Sequence, residues 1–213
     1  MKEAKEVSAA LLAGEKVGFF SEFPCEGELP KGLICCRRTG IPLSEALYET
    51  VDGTPLPEMG IAVTVHKSCQ PFASTTHVVP PAVVLGMGCR KNKESEAVEK
   101  AAFSCLKEND IYPEAVAALA SIDVKKEEPG LLALSEKLGV PFKTFSSEEL
   151  LSVQGEFTSS SFVSKTVGVD NVCERSAVKA AENHTGIHFI QRKRGAEGVT
   201  TALVLGDWRI RFE

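Results

Sequence analysis

The residues best placed to bind a ligand form one stretch of this sequence, Gly86-Met87-Gly88-Cys89-Arg90-Lys91. It follows a short apolar run with β-branched residues at 82–85, which is typical of a buried strand. We expect the two glycines to end that strand in a tight turn, because glycine allows close approach of the backbone. A turn between a strand and a helix presents backbone N–H groups and the positive helix end to an anion. Arg90, Lys91 and Lys93 add three cations, so the stretch predicts an anion site.

The same stretch permits other interpretations. It is a plain turn between strand and helix, without a ligand, or it belongs to a dinucleotide-binding turn. The third glycine of the dinucleotide fingerprint is missing, which disfavours a dinucleotide-dependent enzyme. Cys89 is a candidate nucleophile, since a helix N-terminus and Arg90 would lower the pKa of its thiol. Buried packing is favoured for Cys89, because no partner base is visible in the sequence.

The elements that must position this stretch alternate between strand and helix. Apolar runs at 82–85, 116–122 and 142–145 predict three parallel strands, each followed by a helical pattern. The tail lacks helices, and its runs at 187–191, 199–205 and 208–212 predict antiparallel strands. We therefore expect an α/β domain at 81–213, with a mixed sheet flanked by helices. Local signals within it predict a left-handed helix end at Asn109, a capping box at 146–149, a short helix at 162–167 and a helix capped by Asn171.

Residues 1–80 are expected to form a smaller N-terminal α/β unit. A helical pattern at 3–13 precedes strand candidates at 16–20, 33–36 and 60–66, with a short helix expected at 44–50. Residues 68–81 are interpreted as a connection that ends in the stiff pair Pro80-Pro81. The boundary between the two domains is placed there.

Composition excludes several classes of protein. The net charge of −5 gives no reason to expect nucleic-acid binding, and no run is long or apolar enough to span a membrane. The seven cysteines include no Cys-x-x-Cys pair, so we expect reduced thiols in a cytoplasmic protein without a secretory signal. The four histidines are not grouped with cysteines at metal spacing, and we expect no tightly bound protein metal.

Five motifs, in order along the chain, resemble the C-terminal domain of CbiG, a family of cobalamin biosynthesis proteins. That domain also stands alone as CobE. The motifs lie at 83–90, 116–123, 128–134, 145–150 and 166–177. Residues 1–80 resemble, less specifically, the middle region of CbiG. Two departures are visible: Asn92-Lys93 stands where the family usually has Gly-Thr, and nothing matches the family's further N-terminal α/β domain with its glycine-rich Gly-His segment.

The resemblance implies hydrolysis of cobalt-precorrin-5A in the anaerobic pathway to vitamin B12. The ring-A δ-lactone opens, the two-carbon fragment leaves as acetaldehyde, and cobalt-precorrin-5B is formed. The substrate carries the cobalt, so no separate cofactor is expected. A second interpretation is a non-catalytic module that binds or carries a corrinoid intermediate. A second copy of the chain or other enzymes of the pathway are the expected protein partners.

Lactone opening requires a base for water and a stabilised oxyanion, which assigns roles within the resembling motifs. Asp123 is the expected catalytic base; Glu128 is the second candidate, with helix capping or a surface ion pair as its alternative. Backbone N–H groups at 88–90 are candidates for the oxyanion. The expected contacts to the tetrapyrrole and its carboxylates are Gly86, Gly88, Cys89, Arg90 and Lys125.

Overall fold

The computed structural model describes residues 2–40, 47–158, 169–181 and 186–213. It divides into two compact units, Met1–Pro80 together with Trp208–Glu213, and Pro81–Asp207. The expected C-terminal domain ran from residue 81 to residue 213. The structure differs at the end of the chain, where the last six residues belong to the first unit. The antiparallel strand expected at 208–212 was also wrong, because the strand there, Ile210–Arg211, pairs parallel with Cys25–Glu26.

The first unit is built around a five-stranded sheet with the order β4-β3-β1-β5-β6. The strands β1, β3, β5 and β6 are parallel, and β4 runs antiparallel to β3. A separate two-stranded parallel ribbon joins β2 to β12. The bounds of its elements are α1 (Lys2–Leu12), β1 (Val17–Ser21), β2 (Cys25–Glu26), β3 (Leu33–Thr39), β4 (Leu47–Thr50), β5 (Met59–Val63), β6 (Ser74–Val78) and β12 (Ile210–Arg211).

Two apolar clusters hold this sheet together. Val7 and Ala10 of α1 pack on Val17. The other cluster places Phe72 against Phe20 and its neighbours. The ring of Phe72 lies over two glycines in adjacent strands, where an added Cβ would come within 2.2 Å at Gly18 and 2.3 Å at Gly60. These glycines therefore make room for an aromatic core residue.

Two predictions for the first unit were wrong. The expected connection at 68–81 contains strand β6 (Ser74–Val78), and part of the expected helix at 44–50 is strand β4 (Leu47–Thr50); residues 41–46 lie outside the described part of the chain. Both strands lie at the edges of the sheet, and their polar residues lack the apolar pattern that marks a buried strand. Pairing with β5 and β3 determines their conformation.

The second unit has a five-stranded mixed sheet with the order β10-β11-β7-β8-β9. As predicted, β7, β8 and β9 are parallel, β11 runs antiparallel to β7, and β10 and β11 form a hairpin. The bounds are β7 (Val83–Cys89), α2 (Ser95–Glu108), β8 (Val116–Ile122), α3 (Pro129–Leu138), β9 (Phe142–Phe145), α4 (Ser147–Ser152), α5 (Val172–Ala181), β10 (His188–Ala196) and β11 (Val199–Leu205). This confirms the expected class, a mixed α/β fold flanked by helices.

The helix α5 packs directly on the centre of the second sheet. Ala177 and Ala181 of α5 meet Val84 of β7, Ala120 of β8 and Val204 of β11. Small side chains on the helix let it approach the sheet closely, because alanine adds only one carbon beyond the backbone. The strand β7, which carries the predicted anion-binding stretch, is thereby buried in the middle of the unit.

Local predictions for this unit had mixed outcomes. The capping box is present, since the Ser146 hydroxyl accepts from the Glu149 N–H at 3.1 Å and the Glu149 carboxylate accepts from the Ser146 N–H at 2.7 Å. The Asn171 side chain caps α5 by accepting from the Glu174 N–H at 3.0 Å. The left-handed residue after α2 is Asp110 (φ 60°), whereas Asn109 has φ −100°. The helix expected at 162–167 lies outside the described residues.

Among the described helices, none has the length and hydropathy needed to cross a bilayer.

Candidate functional site

The strands β7 and β8 end next to each other, as expected for a ligand site of an α/β sheet. The buried Ser121 hydroxyl of β8 donates to the Met87 carbonyl of β7 at 2.7 Å, which ties the two ends together. Beyond the ends of the two strands, the segments that follow β7 and β8 stay close together. A Cβ on Gly130, in the first turn of α3, would lie 3.3 Å from the carbonyl oxygen of Lys93. The loop after β7 and the turn after β8 therefore meet at one edge of the sheet.

A buried ion pair lies at this edge. Lys125 Nζ is 2.7 Å from Glu128 Oε2, and the two side chains are only 14% and 5% exposed. The other carboxylate oxygen, Glu128 Oε1, is buried and has no hydrogen-bond partner in the described part of the chain. A buried acceptor without a donor costs free energy, so this oxygen is a favourable place for a donor supplied by a ligand or water.

Cys89, the last residue of β7, lies half-buried within reach of this pair. Burial raises the pKa of its thiol; the charge of Lys125 lowers that pKa and the charge of Glu128 raises it. The net effect keeps the thiol protonated at neutral pH. The structure therefore favours packing for Cys89 over nucleophilic attack, which requires a thiolate.

The two glycines do not form the expected turn, because β7 continues through both to Cys89 and pairs with β11 along its whole length. A Cβ on Gly86 would lie 1.9 Å from the carbonyl oxygen of Cys173, so Gly86 allows α5 to approach the sheet. A Cβ on Gly88 would lie 2.8 Å from the Thr200 hydroxyl. The predicted turn at these glycines was wrong, since pairing with β11 holds both of them extended and β8 also pairs with Gly86.

Arg90 and Asp123 are both exposed. The Arg90 N–H donates to the Gly198 carbonyl at 3.0 Å, so it is not available to stabilise an oxyanion. The Arg90 side chain extends beside Gly198 in the turn between β10 and β11, on the β11 side of β7. Asp123 begins the short 3-10 turn Asp123–Lys125 on the β8 side. Cys89 thus lies between two cations, Arg90 and Lys125.

The helix capping or surface ion pair expected as the alternative role of Glu128 is not what the structure shows. Glu128 is the N-cap residue of α3, but its side chain makes no cap hydrogen bond and is not a surface group. The available signal was the Lys125-x-x-Glu128 spacing directly before Pro129, which suits an ion pair across one turn. Its burial follows from the packing of α3 beside α2, which spacing alone does not reveal.

No set of three or more histidine, cysteine, aspartate or glutamate side chains is arranged to hold a metal ion within the residues that the structure describes.

Comparison with protein families accounts for both units. Residues 83–204 match the family model described as "Cobalamin synthesis G C-terminus" (CbiG_C), and residues 1–85 match "Cobalamin biosynthesis central region" (CbiG_mid). The C-terminal match alone covers more than half of the 213 residues.

Curated relatives carry related names. The chain is 32% identical over 171 residues to the cobalt-precorrin-5A hydrolase of Salmonella typhimurium, covering 79% of this chain and 46% of that protein. It is 30% identical over 128 residues to the enzyme of the same name from Priestia megaterium, covering 60% and 34% respectively. The chain thus spans less than half the length of these relatives.

Solved structures agree on the fold. CobE, described as a protein from the cobalamin (vitamin B12) biosynthetic pathway, superposes with a TM-score of 0.54 at 27% identity, over 60% of this chain and 93% of CobE. A putative cobalamin biosynthesis protein G homolog from Sulfolobus solfataricus shares the fold at 16% identity and a TM-score of 0.50, over 96% of this chain and 55% of that protein. From its two family matches and the motifs that carry them, this chain belongs to the CbiG family of cobalamin biosynthesis proteins.

Proposed function

We propose that this chain acts in anaerobic cobalamin biosynthesis in the hydrolysis of cobalt-precorrin-5A. Water opens the ring-A δ-lactone, and acetaldehyde leaves to give cobalt-precorrin-5B. The observation that carries the proposal is the match of both units to CbiG regions, together with relatives named cobalt-precorrin-5A hydrolase. The cobalt belongs to the substrate, and the proposal requires no cofactor of the protein. The expected setting is the cytoplasm.

The carboxyl edge of β7 and β8 is the proposed contact with the tetrapyrrole. A cobalt-precorrin carries several carboxylates, and cations that can form charge-assisted hydrogen bonds would orient it. Arg90 is exposed on one side of Cys89, and no ion pair is recorded for it among the described residues. Lys125 lies on the other side, held by Glu128. An exposed cation on one side and an ion-paired cation on the other support a substrate with more than one carboxylate.

Glu128 is the base that the geometry favours for lactone opening. Its Oε1 is buried without a donor and can accept the proton of the attacking water. The Lys125 ammonium, 2.7 Å from the other carboxylate oxygen, is placed to stabilise negative charge on the substrate. Asp123 is the alternative base that the sequence indicated, and it stands exposed at the start of the same turn.

The two carboxylates are distinguished by matched amide substitutions. Glu128→Gln should lower the rate of acetaldehyde release from cobalt-precorrin-5A by roughly 100-fold or more, the usual contribution of a general base. Asp123→Asn, in the same turn, should change the rate less than about threefold. The opposite ranking would assign the base to Asp123. Full activity in both variants would show that lactone opening does not take place at this edge of the sheet.

A corrinoid-binding or carrier module is the second candidate function, supported by the similarity to CobE over 60% of the chain. The two functions differ in turnover. Incubation of the 213-residue chain with cobalt-precorrin-5A should yield acetaldehyde if it is a hydrolase. Tight binding without acetaldehyde, in a protein of native thermal stability, would establish the carrier.

A further inference from the structure

In the first unit, three parallel strands end at one edge of the sheet, at the point where the strand order reverses. The chain passes from β1 to β3 on one side and to β5 on the other, and these three strands are parallel. In open parallel sheets, ligands bind outside the carboxyl ends of the strands at such a reversal. Glu22 follows β1 directly, and residues 64–66 follow β5.

Glu22 is tightly held at this position. Its side chain is 12% exposed and accepts hydrogen bonds from the Thr64 hydroxyl and from the Val65 N–H at 3.2 Å. Both carboxylate oxygens lie 3.0 Å from Nδ1 of His66. Burial raises the pKa of Glu22. The hydrogen bond and the charge of His66, together with the hydrogen bonds from Thr64 and Val65, outweigh the effect of burial and leave the pKa of Glu22 below its usual value. Glu22 is therefore ionised at neutral pH.

An ionised carboxylate determines which nitrogen of His66 carries the proton. When the ring is neutral, Nδ1 donates to Glu22 and Nε2 carries the lone pair. The ring is 17% exposed, and no hydrogen bond to Nε2 is recorded among the described residues. An imidazole held from behind by a carboxylate is the arrangement that takes a proton from a hydroxyl group.

One further cation and two neutral groups lie near Glu22 and His66. Arg38 Nη1 lies 3.8 Å from Glu22 Oε1, too far for a hydrogen bond, and its side chain is 36% exposed. The Tyr48 hydroxyl lies 3.5 Å from Cys69 Sγ, and burial raises the pKa of both groups, so both stay protonated. Within the described part of the chain, the ion pairs at this place join Glu22 to His66 and to Arg38, and the Arg38 guanidinium has donors for a second carboxylate.

We propose that this edge of the first unit is a second reaction site, where His66 Nε2 takes a proton from a hydroxyl group of a carboxylate-bearing ligand. Glu22 positions the ring, and Arg38 receives the ligand's carboxylate. The identity of the ligand rests on the proposed function: the hydroxyl is the one freed when the lactone opens. Its proton passes to Nε2, the oxygen forms the C=O of acetaldehyde, and the C–C bond to the macrocycle breaks. The electron pair of that bond moves into the conjugated ring, so no oxidant or reductant is needed.

The test separates lactone opening from acetaldehyde release. His66→Asn keeps an amide N–H near the Nδ1 position for Glu22 and removes only Nε2, which protects the fold. With cobalt-precorrin-5A, this variant should accumulate the opened substrate, one water heavier by mass spectrometry, and release acetaldehyde about 100-fold more slowly. The control is His188→Asn, an exposed histidine of the second unit, which should match the parent.

Glu22 and Arg38 are tested by different kinetic constants, kcat for Glu22 and KM for Arg38. Glu22→Gln should lower kcat for acetaldehyde release about tenfold or more, with KM within about twofold, because it acts through the ring. Arg38→Gln should raise KM and leave kcat nearly unchanged. Normal acetaldehyde release by folded His66→Asn would overturn the proposal, as would a loss of lactone opening in that variant.

Failure of the proposed function gives a different result, because the parent then yields neither the opened substrate nor acetaldehyde. In that case diethyl pyrocarbonate, which modifies neutral imidazole, tests the site directly. Cobyrinic acid, a corrinoid with free carboxylates, should protect His66 from modification at least about tenfold and leave His188 equally reactive. Equal labelling of His66 with and without cobyrinic acid would refute a ligand site at this edge.

Discussion

Gly86 and Gly88 stand two residues apart in β7 but are constrained by different neighbours. A Cβ on Gly86 would lie 1.9 Å from the backbone oxygen of Cys173, whereas a Cβ on Gly88 would meet only the Thr200 hydroxyl at 2.8 Å. A helix backbone cannot move aside cheaply, but a threonine side chain can rotate. The two glycines that sequence reasoning treated alike therefore have distinct roles, helix packing for Gly86 and strand pairing for Gly88.

Alanine substitution should expose this difference. Gly86→Ala should lower the free energy of unfolding by about 2 kcal/mol or more through overpacking, measured by urea denaturation. Gly88→Ala is the matched control and should stay within about 1 kcal/mol, because it loses the Thr200 hydrogen bond to the Gly88 carbonyl at most. Equal effects in both variants would contradict the close approach of α5.

The contribution of Arg90 to corrinoid binding can be measured directly. Its guanidinium is exposed, and one charge-assisted contact to a substrate carboxylate contributes roughly 1.5–3 kcal/mol. Arg90→Ala should therefore weaken corrinoid binding by about one to two orders of magnitude in a fluorescence titration. Lys107→Ala, at the exposed end of α2, is the control and should bind like the parent. Parent-like binding by Arg90→Ala would make Arg90 an ordinary surface residue.

At the scale of elements, a buried carboxylate fastens α5 to its neighbours. Glu174 is fully buried and accepts from the Lys193 N–H of β10 at 2.6 Å, and from the N–H and hydroxyl of Thr158 at 3.0 and 2.8 Å. Burial raises its pKa, but these hydrogen bonds outweigh burial and lower the pKa below its usual value. A folded-state pKa below the unfolded one stabilises the fold above the unfolded pKa, and that stability is lost as pH falls through the folded value.

Glu174→Gln should therefore change both the stability and its pH dependence. The amide keeps only one acceptor oxygen, so the Lys193 N–H or the Thr158 N–H loses its acceptor and about 1–3 kcal/mol of unfolding free energy should be lost at pH 7. The parent should lose stability more steeply than the variant as pH falls below about 4.3, the ordinary glutamate pKa. Thermal unfolding from pH 7 to pH 3 measures this, with exposed Glu136→Gln as the control. Parallel pH profiles of the parent and Glu174→Gln would contradict the assignment.

The elements that sequence predicted well carry a local signal, either an apolar run or a helix cap. Strands β8 and β9 and the antiparallel β11 follow from apolar runs, and α5 from its Asn171 cap. The strands that were missed, β4 and β6, are edge strands whose paired residues lie 8 to 15 positions away in the chain, as in the pairs Thr39–Leu47 and Met59–Ser74. Local pattern carries no information on such pairing.

The candidate site was predictable in place but not in detail. Parallel strands that are neighbours in the sheet must end at the same edge, so the meeting of the loops after β7 and β8 could be expected. Which carboxylate is buried depends on how α3 packs, and that placed Glu128 inside and Asp123 outside. The pairing of Glu22 with His66 joins residues 44 positions apart, which no spacing rule identifies.

At the scale of the whole molecule, the end of the chain returns to the first unit. Trp208 packs edge-on against Phe23, and Phe212 against Phe19, with ring centroids 5.5 Å apart in each pair. The backbone adds hydrogen bonds from the Ile210 N–H to the Pro24 carbonyl and from the Phe212 N–H to the Glu26 carbonyl, both 2.9 Å. The last six residues therefore complete the first unit, although they follow the second in sequence.

Deletion of residues 208–213 should therefore destabilise the first unit selectively. Losing two aromatic contacts and the β2–β12 ribbon should cost that unit at least about 2 kcal/mol. Hydrogen exchange measured by mass spectrometry should show faster exchange of the β1 amides, with those of β7 and β11 unchanged. The control is Arg211→Ala, which removes an exposed ion pair to Glu26 and should alter exchange little. Unchanged protection of β1 after the deletion would show that the first unit is stable without its last strand.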